Sequence, residues 1–127
     1  MFIIVVDKSK TILTKIETLL HEIDVAELEV KLFNNADEAL DFMEDNEVKL
    51  IFSSIETDGV DGVTFTDTIL RKDPLLVSKL FIVTSQKDGE HFEDIKNVGA
   101  KRFIQKPINE KYFKHFVTPE ITKILNQ

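Results

Sequence analysis

The 127-residue sequence predicts an α/β domain in which helices cover both faces of a doubly wound, five-stranded parallel sheet. Two observations predict this class. Short β-branched and aromatic runs alternate with segments of helical periodicity, and polar residues directly follow each run. Such alternation favours right-handed crossovers between parallel strands. The length fits one domain, which we assign to residues 1–127.

Five strands are expected. Continuous apolar runs at 2–6, 50–52 and 80–83 are typical of strands buried on both faces. Weaker patterns predict strands at 29–33 and 102–105.

Five helices are expected after these strands. Ser9, Asn35 and Asn109 are predicted N-caps, because their short polar side chains can accept hydrogen bonds from free amides of a first helical turn. The third helix should end before Pro74 and the fourth at Gly99. The predicted inward residues are Ile12, Ile16, Leu19, Leu20 and Ile23; Ala39, Leu40 and Met43; Phe65, Ile69 and Leu70; Phe92, Ile95 and Val98; and Phe113, Phe116 and Val117.

Pro119 lies inside the last helical pattern. Either one long helix kinks there, or Thr118 caps a new short helix with Pro119 at its first position. We predict the second arrangement.

Composition excludes several classes of function. The absence of cysteine excludes disulfides, thiolate catalysis and cysteine-based zinc sites. The 16 basic and 23 acidic residues disfavour direct nucleic-acid binding. No apolar run approaches the ~18 residues of a membrane span, and the N-terminus lacks the features of a signal peptide. We therefore expect a cytoplasmic protein with no membrane contact.

Polar residues follow four of the predicted strands. Asp7 and Lys8 follow the first, Ser53 and Ser54 the third, Thr84 the fourth, and Lys106-Pro107 the fifth. A Gly-x-Asp-Gly turn at 59–62 follows Ser54. Because the carboxyl ends of parallel strands meet at one edge, we expect these side chains to lie close together.

With these marks and Gly99-Ala100, the chain resembles the receiver domain of two-component response regulators, the CheY-like family, over essentially its whole length. The resemblance implies a flavodoxin-like sheet of order 2-1-3-4-5. In that family, acids after the first strand and an aspartate ending the third bind Mg²⁺, and that aspartate accepts a phosphoryl group from a histidine kinase. A hydroxyl residue and a lysine then contact the phosphoryl oxygens.

The sequence departs from the family at two positions. Ser54 occupies the phosphoacceptor position and Lys8 the second metal-binding position. A serine hydroxyl needs a base to become a nucleophile. Asp7, Lys8, Ser54 and Lys106 together carry a charge of +1, where a family pocket carries about −2, and this disfavours a divalent cation. We expect a degenerate pocket formed by these four residues and Thr84, with no catalytic residue and no cofactor. If a metal bound, Asp7 and Glu56 would be its ligands.

The expected function is that of a pseudo-receiver, a non-enzymatic module that acts by protein–protein contact without phosphorylation. The resemblance implies a contact face at residues 90–117, formed by helix four, strand five and helix five, with Phe103 and Tyr112 as switch or interface residues. Its partners would be a signalling protein, a histidine kinase or a second copy. Within the pocket, we expect Asp7 to pair with Lys8 or Lys106. Lys8 is expected either to hold Asp7 or Glu56 or to remain a solvated side chain.

Two alternatives remain open. Asp58 or Glu56 could serve as a non-standard phosphoacceptor with Mg²⁺. A flavodoxin-like cofactor protein is less favoured, because the loop at 7–10 lacks the hydroxyl and glycine residues of a phosphate cradle. His21, His91 and His115 show no metal-ligand spacing and are expected on the surface.

Overall fold

The strands of the computed structural model, which describes residues 2–23, 27–85 and 88–126, form one parallel sheet. The order is β2-β1-β3-β4-β5, so the predicted fold class is confirmed together with its strand order. The strands are β1 (Phe2–Val6), β2 (Glu29–Phe33), β3 (Val48–Ser54), β4 (Leu80–Thr84) and β5 (Phe103–Gln105).

Helices connect the strands and begin where the sequence places caps. They are α1 (Lys10–His21), α2 (Ala36–Asp45), α3 (Gly62–Lys72), a 3₁₀ helix (Pro74–Lys79), α4 (Glu90–Asn97) and α5 (Glu110–Leu125). The side chains of Ser9, Asn35 and Asn109 each accept a first-turn amide hydrogen bond, as predicted. Gly99 follows α4 with a φ of 118°, which confirms the predicted end of that helix. The 3₁₀ helix after α3 was not predicted.

The core has two halves, one on each face of the sheet. Because side chains alternate across a strand, Ile3 and Val5 pack on the face covered by α1 and α5, whereas Ile4 and Val6 pack beneath α2, α3 and α4. All four are at most 1% exposed. This two-sided burial explains why the sequence of β1 is continuously apolar.

Two strands extend further than their apolar runs. Ser53 and Ser54 pair with Ile82 and Val83 of β4, so β3 ends at Ser54 and not at residue 52. Thr84 likewise pairs with Gln105 and ends β4. The hydroxyl residues that we placed after these strands are therefore held by the sheet itself.

The prediction for Pro119 is wrong. Helix α5 runs continuously from Glu110 to Leu125 with Pro119 inside it. Ile121 and Ile124 continue the buried stripe that starts at Phe113 and Val117. Burying this stripe against the sheet outweighs the one backbone hydrogen bond that a proline cannot donate.

The helices of the described ranges include none with the length and apolar character needed to cross a bilayer.

Candidate functional site

Three strand ends bring predicted residues together at the carboxyl edge of the sheet. Asp7 follows β1, Ser54 ends β3 and Lys106 follows β5. The Lys106 Nζ lies 3.0 Å from Asp7 Oδ2 and 3.4 Å from Ser54 Oγ. Of the residues expected at this edge, the structure brings Asp7, Ser54 and Lys106 together, and the lysine joins the outer strand β5 to β1 and β3.

Asp7 is the buried acid of this cluster. The residue is 2% exposed, and its Oδ1 accepts a hydrogen bond of 2.8 Å from the Ser9 amide. Its Oδ2 has no hydrogen bond, since the Lys106 ammonium lies within ion-pair distance but not in hydrogen-bonding geometry. Of the two partners proposed for Asp7, the structure thus selects Lys106. The contact is a partly buried charge pair, with Asp7 buried and the Lys106 side chain 21% exposed.

Of the two roles considered for Lys8, the structure shows the solvated one. Its side chain is exposed, and the described residues include no ion pair from it to Asp7 or Glu56. Its backbone amide instead donates to the Glu56 carbonyl at 3.1 Å, which fixes the turn after β1. The ammonium stays hydrated, because pairing it inside the pocket would cost desolvation. Because the Lys8 ammonium stays outside the pocket, the charges of Asp7 and Lys106 cancel there. The charge of +1 expected for the pocket included Lys8 and therefore does not apply to this contact.

Ser54 is buried and its hydroxyl oxygen is already engaged. The residue is 2% exposed, and Oγ accepts from the Glu56 amide at 3.2 Å and from Lys106 Nζ. Within the described part of the chain, no carboxylate or imidazole accepts a hydrogen bond from this hydroxyl. A Cβ at Gly62 would collide with the Ser54 carbonyl oxygen, which explains the glycine that ends the 59–62 turn.

Thr84 is held by Asp88, a residue that the sequence analysis missed. Thr84 Oγ1 donates to Asp88 Oδ2 at 2.8 Å, and the Ser85 amide donates to the same oxygen at 2.7 Å. Asp88 is only 5% exposed. The sequence offered a weak signal, an Asp-Gly pair before a helix, but such a pair usually marks a turn. The Thr84 hydroxyl proton is committed to this buried carboxylate.

An open depression joins the cluster to an aromatic wall. Glu56, Thr84, Asp88 and Lys106 line one part of it, and Phe92, Phe103 and Tyr112 line another.

The aromatic residues of this region differ in exposure. Phe103 is half-buried, with its ring centroid 4.9 Å from that of Phe92. Tyr112 is 49% exposed and stacks on Phe116, whereas Phe113 is fully buried. Of the three aromatic residues of α5, Tyr112 is the exposed one.

The three histidines lie on the surface, as predicted. His21, His91 and His115 are all exposed. Asp58 is exposed and pairs by its backbone with Asn35, at the start of α2. Glu56 is also exposed but lines the depression. Of the two acids considered as phosphoacceptors, only Glu56 borders the site.

A comparison of the sequence with models of protein families identifies the family of this chain. Residues 3–118 match the model of the response regulator receiver domain. The chain belongs to this family. Receiver domains are generally non-enzymatic signalling modules that interact with other signalling proteins. A search of curated protein sequences found no match.

Solved receiver structures share the fold of this receiver. The signal receiver domain of an HD domain-containing protein from Pseudomonas fluorescens Pf-5 is 20% identical, with a TM-score of 0.81 and coverage of 99% of this chain and 98% of that one. A response regulator receiver domain protein from Clostridium thermocellum is 20% identical, with a TM-score of 0.78 and coverage of 96% and 94%. The NtrX receiver domain from Brucella abortus is 23% identical, with a TM-score of 0.79 and coverage of 94% and 98%.

The residues of this receiver do not fit Mg²⁺, the ion that the family implies. Mg²⁺ prefers octahedral oxygen ligands that include carboxylates. Asp7 is the one carboxylate of the buried cluster, and an amide and an ammonium face its two oxygens. In the described ranges, no group of three or more histidine or acidic side chains could hold a metal ion.

Proposed function

We propose that this receiver is a pseudo-receiver, which signals through protein contact and does not use phosphorylation. The observation that carries the proposal is the buried Ser54 hydroxyl in hydrogen-bond contact with Lys106, at the position where the family resemblance places the phosphoacceptor aspartate. A carboxylate is ionised at neutral pH and can attack directly, whereas a serine needs a base, and no carboxylate or imidazole of the described residues accepts a hydrogen bond from this hydroxyl.

The charges around Ser54 support the proposal further. Phosphoryl transfer needs positive groups that stabilise the equatorial oxygens. Lys106 is balanced by Asp7, and Thr84 donates its proton to Asp88. A phosphoryl group at Ser54 would have to compete with both carboxylates for these donors. On this proposal, the lysine and hydroxyl residue that contact the phosphoryl group in other receivers already have partners within this chain.

The face built by α4, β5 and α5 is the proposed contact surface. Tyr112 is 49% exposed, and Phe103 and Phe92 pack against each other and line the same depression. Exposed aromatic side chains are common anchors of protein interfaces. The proposed partner is a signalling protein, such as a histidine kinase, or a second copy of the chain.

Intact mass spectrometry after incubation with acetyl phosphate and Mg²⁺ tests the proposal. The wild-type protein should gain no phosphoryl mass. A matched control carries Ser54→Asp and Lys8→Asp. These changes introduce acids at the two positions where the sequence departs from the family pattern, and this variant should gain one phosphoryl group. An adduct on the wild type that hydroxylamine removes would contradict the proposal, since hydroxylamine cleaves acyl phosphates.

The alternative is an acyl phosphate on Glu56. It is favoured by one observation, that Glu56 lines the depression beside Lys106 and Thr84. In that case Glu56→Gln would abolish the wild-type adduct, whereas Asp58→Asn, which changes an exposed acid beside α2, would retain it.

A further inference from the structure

The negative charge of the molecule is concentrated on one helix. Six acids and no basic residue occur in the segment 36–47, which contains α2, whereas the rest of the chain carries 17 acids and 16 basic residues. All six acids are exposed: Asp37, Glu38, Asp41, Glu44, Asp45 and Glu47. Outside this segment the protein is therefore close to neutral.

An apolar pocket lies directly beside this helix. Five apolar residues of α2, β3, α3 and the 3₁₀ helix line it: Leu40, Met43, Val48, Ile69 and Leu76. Its volume is about 210 Å³. A cavity of about 150 Å³ accepts benzene, so this pocket has room for one large apolar side chain.

The rim of the pocket is polar and mostly acidic. Glu44 and Glu47 come from the acidic segment, and Asp73 and Lys72 from the end of α3. The neighbouring 3₁₀ helix also presents Leu75, which is 77% exposed. An apolar pocket within an acidic surround has the anatomy of a binding hot spot, in which a desolvated anchor is ringed by polar contacts.

We propose that this α2 pocket is a second docking surface, which binds a basic segment of a partner protein through one inserted leucine or aromatic side chain. The charge selects the occupant, because α2 repels nucleic-acid phosphates and anionic lipid and attracts lysine and arginine. A second copy that placed α2 against α2 would oppose acids with acids. Val48 begins β3, so the pocket lies at the opposite end of that strand from Ser54. It is thus separate from the face proposed above.

Selection from a random peptide display library on the wild-type protein tests the proposal. Selected peptides should share lysine or arginine residues around one large apolar residue. Their binding should shift the methyl NMR signals of Leu40, Met43, Val48, Ile69 and Leu76. Replacing the apolar residue of the peptide with alanine should lower its affinity by about tenfold or more, since a buried anchor carries much of the binding energy.

Matched variants test whether peptide binding depends on the acids near the α2 pocket or only on the net negative charge of the protein. The variant Asp41→Asn/Glu44→Gln/Asp45→Asn should weaken binding about tenfold, because it removes three charges of the docking surface. The variant Glu17→Gln/Glu22→Gln/Glu27→Gln removes the same charge from α1 and the segment after it, outside both proposed surfaces, and should bind as the wild type does. Met43→Gln, which makes the pocket wall polar at nearly constant length, should also weaken binding.

Four results would overturn the proposal. Three of them concern the peptides: selected sequences without the basic and apolar pattern, equal losses of affinity in the two triple variants, or NMR shifts away from the pocket. Concentration-dependent dimerisation that the α2 variant abolishes would also overturn it, because the occupant would then be a second copy. None of these results depends on whether Ser54 or Glu56 is phosphorylated.

Discussion

At the scale of single residues, the contact between Asp7 and Lys106 makes the sharpest prediction. Asp7 is buried, and the described residues place no other cation within ion-pair distance of it. Lys106→Met would leave its charge without compensation. Because the Lys106 side chain is 21% exposed and water can partly replace it, we expect a loss of roughly 2 kcal/mol, below the usual cost of breaking a fully buried pair. Urea unfolding at neutral pH measures this loss.

Two controls isolate the charge effect. The double variant Asp7→Asn/Lys106→Met removes both charges and should recover most of the stability, as a double-mutant cycle of a coupled pair requires. Lys8→Met changes an exposed ammonium and should alter stability by no more than about 0.5 kcal/mol. Equal losses in the single and double variants would show that Lys106 acts through packing alone.

The sequence predicted which of these residues meet, but not how each is used. Asp7, Ser54 and Lys106 were found because the ends of parallel strands share one edge of the sheet. Lys8 is exposed at a turn that is fixed by the hydrogen bond from its backbone amide to the Glu56 carbonyl. No local sequence pattern predicts this long-range hydrogen bond. Asp88 was not predicted because its role depends on a hydrogen bond from Thr84, four residues earlier in the chain, which the sequence does not reveal.

At the scale of secondary-structure elements, Pro119 in α5 carries the second prediction. A proline inside a helix removes one backbone donor, and Pro119 is exposed, so its ring adds little burial. Pro119→Ala should therefore raise the free energy of unfolding by ~1–3 kcal/mol. Thermal unfolding measures this gain. Lys111→Ala, at another exposed position of α5, should leave the melting temperature almost unchanged, and a destabilised Pro119→Ala protein would contradict the argument.

The same helix shows why element boundaries were harder to predict than elements. The buried stripe through Val117, Ile121 and Ile124 overrides the local signal of Thr118-Pro119. In β3, pairing with β4 extends the strand through two serines that have no strong preference for strands. In both cases tertiary contacts decide the boundary, and a local sequence pattern does not contain them.

At the scale of the whole molecule, two ion pairs connect the first helix to the last. Lys15 of α1 contacts Glu110 of α5 at 2.6 Å, and Lys114 of α5 contacts Glu22, which ends α1, at 2.7 Å. The hydrogen bond and charge of Lys15 lower the pKa of Glu110. The hydrogen bond from Lys114 to Glu22 raises the pKa of Lys114. Both pairs lie at the same helix interface. In one pair the lysine comes from α1, and in the other it comes from α5.

The pH dependence of stability follows from these directions. Because the pKa of Glu110 is lower in the folded state, its contribution is present above the ordinary value of 4.5 and is lost as the pH falls through the lowered value. The contribution of Lys114 is present below its ordinary value of 10.5 and is lost as the pH rises through the raised value. Both contributions are in place near neutral pH.

Glu110→Gln tests the acid limb of this dependence. The variant should melt at a lower temperature than the wild type at neutral pH, and the difference should vanish below the pKa of Glu110, where the wild-type carboxyl is protonated in both states. Added salt should shrink the neutral-pH difference, because both side chains are exposed to solvent and are screened. Glu90→Gln serves as the control, since Glu90 is also an exposed acid in the first turn of a helix, but α4 packs on the opposite face of the sheet from α1. A difference that persisted undiminished at acid pH would mean that Glu110 acts through its hydrogen bond or its packing, and that charge does not hold the two ends of the chain together.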